Sequence, residues 1–77
     1  MYKFLIVFEK TATGYSAYSP DLTGCVATGS TKKETEKNLY SAIEMHIKGM
    51  IDDKVPIPKP TASSEYLVFS NKTLLAN

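Results

Sequence analysis

The chain is 77 residues long, 43% hydrophobic and 22% charged, with a formal net charge of +1. That balance excludes a disordered polymer, a chain of several domains and a strongly basic or acidic protein built around one class of charged ligand. A single cysteine, Cys25, excludes an internal disulfide. The apolar start of the chain is far shorter than the ~20 residues a membrane helix needs. It also lacks the small-residue cleavage site of a signal peptide, so a cytoplasmic protein with no membrane role is expected.

Tyr2, Phe4, Ile6 and Phe8 alternate with Leu5 and Val7. This period-two pattern, apolar on both faces, predicts a strand over residues 2–9. A turn-like stretch ending in Gly14 leads to a second strand over 15–19. Pro20-Asp21-Leu22-Thr23-Gly24 reads as a loop, and a third strand follows at 25–29. Three short strands with tight connections predict an antiparallel meander.

The period then changes. Thr31 followed by Glu34 fits a capping box, opening a helix over residues 32–53. Its apolar stripe is Leu39, Ile43, Ile47 and Met50, at steps of four and three. Gly49 near the helix end is read as a close-packing position or the onset of fraying. The alternating prolines Pro56, Pro58 and Pro60 predict an extended connector. Residues 65–70, Glu65 to Ser70, read as a fourth strand, and 71–77 as a flexible tail. The expected fold class is α+β, ordered β-β-β-α-β. A right-handed crossover would set strand four parallel to strand one, in a four-stranded mixed sheet of order 3-2-1-4 with the helix on one face.

No catalytic, cofactor or metal site emerges from these residue types. Metal-dependent nuclease chemistry needs converging carboxylates. Glu9 ends a strand, Asp21 lies in a loop, and Asp52 and Asp53 close the helix. Cys25 reads as a buried structural thiol and His46 as a packing histidine, because a zinc site would need further ligands. Tyr2, Tyr15, Tyr18, Tyr40 and Tyr66 could stack on bases, yet nine lysines against eight carboxylates outline no basic groove. One helix covers only one face of the sheet. Open apolar surface and an unpaired edge therefore remain, which points to a protein partner or to a homo-oligomer, most simply a two-fold dimer. A small nucleic-acid-binding or RNA-processing domain is the alternative function.

The run from Tyr15 to Thr31 resembles the signature of the HicB antitoxin family: a tyrosine-rich strand, a Pro-Asp-Leu loop closed by Gly-Cys, a short strand and a Gly-x-Thr helix entry. Asn38-Leu39, Ala42-Ile43-Glu44 and His46 resemble that family's helix, and residues 55–60 its proline connector. Thr23 stands where the family has a second proline, Ser30 where it has aspartate, and Lys32-Lys33 where acidic residues are common. The resemblance implies a partial RNase H-like fold over residues 1–70. It also implies a partner, a HicA-type toxin that cuts mRNA with a histidine and is silenced when the antitoxin covers its active face. The expected contact is the loop of Pro20, Asp21 and Leu22 with its flanking Tyr18. Too few residues follow 70 for a helix-turn-helix, so no DNA binding by this domain alone is expected.

Overall fold

A computed structural model describes residues 2–75. Three strands form an antiparallel sheet of order β1-β2-β3: β1 (Val7–Lys10), β2 (Tyr15–Tyr18) and β3 (Val26–Gly29). Val7 pairs with Tyr18 and Lys10 with Tyr15, while Tyr18 pairs with Val26 and Tyr15 with Gly29. The helix α1 (Lys32–Asp52) packs mainly against β3 and then β2. A second, short helix α2 (Asn71–Leu75) occupies the stretch expected to be a tail, and residues 76 and 77 lie outside the described residues.

The fourth strand expected at 65–70 does not form. Among the described residues the sheet has three strands and no parallel pair, so the order 3-2-1-4 is wrong for this chain. The first strand is also shorter than its pattern predicts. Only residues 7–10 pair, and 2–6 carry no ladder although Phe4 and Ile6 pack on the core. The reason lies in the route of the connector. Thr61 and Ala62 are hydrogen-bonded to Asp21, and beyond them every residue from 63 to 75 is exposed. Those residues leave the body as an arm. The Cα radius of gyration is accordingly 16.4 Å and the longest axis 58 Å, against about 11–12 Å expected for the radius of a compact chain of this length.

The buried core is small. Among the described residues it comprises Ala17, Leu22, Cys25 and Leu39, with Phe4, Ile6, Phe8, Ala27 and Ile43 packed against it. Phe4, Ile6 and Phe8 alternate along the chain, which turns all three towards the helix side of the sheet. Of the helix stripe, Leu39 is fully buried, while Ile43, Ile47 and Met50 are half-buried. The sheet runs out beneath them: four paired residues span about 13 Å, whereas a helix of 21 residues spans about 31 Å.

Close backbone approach locks the start of α1 to the sheet. Thr31 caps the helix, its hydroxyl accepting from the Glu34 amide at 3.1 Å. Thr35 is fully buried, and its hydroxyl donates to the Thr31 carbonyl at 2.8 Å. A Cβ on Gly29 would lie 2.8 Å from the Thr35 nitrogen, and one on Gly14 would strike the Gly29 carbonyl. Gly14 thus lets the first hairpin turn close on the end of β3, and Gly29 lets β3 touch the helix through backbone.

The helix ends in a Schellman motif. The Val55 amide donates to the Met50 carbonyl and the Lys54 amide to Ile51, with Lys54 at φ 56° in the left-handed region. Gly49 neither packs closely nor frays the end. A Cβ there would meet nothing, and the helix continues to Asp52.

Candidate partner-binding surface

Two features share one end of the molecule: the loop between β2 and β3, and a groove between residues 2–6 and α1. The loop is held by two turns, in which the Leu22 amide donates to the Ser19 carbonyl at 3.1 Å and the Cys25 amide to Leu22 at 3.2 Å. Gly24 takes φ +87°, a conformation that favours glycine. Ser19 is buried and its hydroxyl has no hydrogen-bond partner among the described residues.

The four residues expected to contact a partner occupy different environments. Pro20 is exposed and Tyr18 half-buried at the end of β2. Leu22 is 1% exposed and plugs the core. The Asp21 carboxylate grips the connector, accepting from the Thr61 amide at 3.3 Å, the Thr61 hydroxyl at 3.1 Å and the Ala62 amide at 3.2 Å. In this conformation the loop therefore presents Pro20 and part of Tyr18 to solvent, while Asp21 and Leu22 hold the loop in shape.

The groove has a volume of about 460 Å³. Tyr2, Phe4 and Ile6 form one wall, and Leu39, Ile43 and Ile47 the other. The Tyr2 and Phe4 rings stack at 6.3 Å with their planes 9° apart. Glu36, Glu44 and Lys48 also line it. The sequence pattern places these residues on a strand and a helix stripe but does not reveal the groove, because alternation predicts a covered strand. The signal the sequence carries is coarser: one helix covers only one face of the sheet, so some apolar surface stays open.

The other candidates are dispersed. Cys25 is buried in the core, and loss of solvent pushes its thiol pKa above the ordinary value of 9.0. His46 is exposed on α1 rather than packed. Glu9 is exposed on β1, while Asp52 and Asp53 sit exposed at the far end of α1. No group of three or more histidine, cysteine, aspartate or glutamate side chains that could hold a metal occurs among the described residues. Tyr2, Tyr40 and Tyr66 are exposed, but Tyr15 and Tyr18 are half-buried in the sheet. The five rings therefore form no common platform. No described helix is long and apolar enough to cross a membrane.

Fold and surface together define a small α+β domain with an apolar groove beside a loop braced by two turns. The model of the HicB-like antitoxins of bacterial toxin–antitoxin systems matches residues 2–72, and the chain belongs to that family. It is 37% identical over 62 residues to an uncharacterized 14.9 kDa protein of Haemophilus phage HP1, covering 80% of this chain and 47% of that protein. It is 37% identical over 60 residues to a UPF0150 protein of Synechocystis, covering 77% and 76% respectively. The chain thus spans about half the phage relative and about three quarters of the cyanobacterial one. Among solved structures, a chain of a HicA3 and HicB3 toxin–antitoxin complex matches with a TM-score of 0.61 at 31% identity, over 77% of this chain and 72% of that one.

Proposed function

We infer that this chain is an antitoxin that binds and neutralises a HicA-type mRNA-cleaving toxin, with residues 1–70 as the working unit and no catalysis of its own. The observation that carries this reading is the likeness, at 31% identity, to a chain of a HicA3 and HicB3 complex. The surface supports it. An apolar groove and a stiff loop suit protein docking, and aromatic side chains such as Tyr18 are frequent interface anchors. The contact lies on Tyr18, Pro20, Asp21 and Leu22, with Pro20 and Tyr18 meeting the toxin and the other two holding the loop. With nine lysines against eight carboxylates, the domain has little to offer a phosphate backbone, so it does not bind operator DNA by itself.

The test is an mRNA-cleavage reaction run by the HicA-type ribonuclease of the same genome. Added at a ratio near one to one, this chain suppresses cleavage. Tyr18→Ala weakens that suppression by about five- to thirtyfold, the usual range for losing an interface anchor, while its melting temperature changes little. A toxin left fully active by excess chain removes the antitoxin reading. RNA or DNA binding that weakens steeply with salt would favour a nucleic-acid-binding domain instead.

A further inference from the structure

The chain exposes two apolar surfaces that match each other. One is the groove between residues 2–6 and α1. The other is the arm, where Tyr66 (98%), Leu67 (74%), Val68 (93%) and Phe69 (59%) are four large apolar residues in a row, all turned to solvent. Four such side chains gain by leaving water, and in an isolated chain most of their surface stays exposed. The arm's root is pinned, because Thr61 and Ala62 are held on Asp21.

We propose that two copies of this chain exchange their arms, residues 65–70 of each lying along the other's groove between residues 2–6 and α1. Reciprocity comes first: every copy carries both donor and acceptor, which is the condition for a closed two-fold contact. Length agrees as well. Four extended residues reach about 13 Å, and the five residues from Tyr2 to Ile6 about 17 Å.

Charge also agrees. Thr35 lies at the level of Tyr15, and Asn38 donates to the Thr28 carbonyl. The helix therefore runs from the Lys10 end of the sheet towards Tyr2, which puts Glu36 near Ile6 and both Glu44 and Lys48 near Tyr2. The arm carries Glu65 before its apolar run and Lys72 after it, so Lys72 meets Glu36 at one end, while Glu65 meets the Lys48 ammonium beside Glu44 at the other. Finally, residues 2–6 have no ladder partner among the described residues, and a segment laid beside them meets an open backbone edge. A core of four buried apolar residues is thin for a chain of this size, and association is a common remedy.

Light scattering of the full chain at micromolar concentration should report twice the 8.5 kDa mass. A monomer overturns the proposal, and leaves the groove for a different protein. Val68→Asp, at a residue exposed within its own chain, should weaken dimerisation at least tenfold while the helix signal in circular dichroism is retained. An undiminished dimer would mean that the arms are not exchanged. The sharpest readout mixes two full chains, one carrying Glu44→Cys and the other Val68→Cys. Exchange gives a covalent heterodimer under mild oxidation. A chain bearing both substitutions that instead closes on itself as the main product, at the monomer mass, overturns exchange. None of these readouts uses the toxin, so they fail or succeed independently of the antitoxin reading.

Discussion

Two stretches of comparable apolarity meet opposite fates. Ala17, Leu22 and Cys25, around the β2–β3 loop, are buried with Leu39. Tyr66 to Phe69 are more strongly apolar still, and all four are exposed. Hydrophobicity sets how much a residue gains from burial, but not whether its own chain supplies the place. Leu22 has such a place because two turns and Gly24 fold the loop back under the helix. The arm has none in its own chain, because the Asp21 clamp directs it away from the sheet.

Leu39→Ala should weigh most heavily on this contrast, because Leu39 is the helix residue in the centre of the core. It should cost about 2–5 kcal/mol in chemical denaturation, a large share of the stability of so small a domain. A loss under 1 kcal/mol would mean that the buried half is not what holds the fold.

Gly29→Ala comes next. Its Cβ would lie 2.8 Å from the Thr35 nitrogen and 2.7 Å from the Thr35 hydroxyl, so backbone must shift, at about 1–3 kcal/mol. Restoration by Thr35→Ala would locate the damage in the hydroxyl alone.

Asp21→Ala removes three hydrogen bonds to the connector. The expected loss is about 1–2 kcal/mol, given partial exposure. Limited proteolysis between residues 55 and 70 should quicken, while amide protection in β2 stays as it was.

At the small end, Gly49→Ala and Lys54→Gly should each stabilise by about 0.5–1 kcal/mol. The first restores helix propensity where a Cβ meets open space. The second places glycine at the left-handed position of the Schellman motif. A destabilising Gly49→Ala would show that something packs on that face in solution. For Cys25, burial raises the thiol pKa above 9.0. The stability this contributes is complete below that value and is lost as pH climbs through the folded pKa. Melting temperature should therefore fall more steeply above pH 9.0 in the native chain than in Cys25→Ala.

Much of the fold was legible where a local signal coincides with a local cause. Thr31 caps its helix, the helix ends within a residue of its expected limit, and the second and third strands lie where the turns placed them. The fourth strand was not, because alternation at residues 65–70 records a preference for a pleated, half-buried surface and says nothing about whose sheet provides it. The roles inside the loop were equally hidden. Leu22 as a core plug and Asp21 as a clamp depend on contacts with residues far along the chain, the latter about forty positions away. Thr35 gave no apolar signal at all. Its burial follows from Gly29, whose missing side chain is the only trace of that contact in the sequence.

The mismatch in length between α1 and the sheet gives the helix the mechanics of a lever. Its first turns are fixed at Thr35, Leu39 and Ile43, and the nine residues from there to Asp52 overhang by about 14 Å. A tilt of about 5° at the fixed end would swing the free end by about 1.2 Å over such a length. Ile47 rides on that overhang and lines the groove, so the groove's width at its Tyr2 end follows the pitch of the helix.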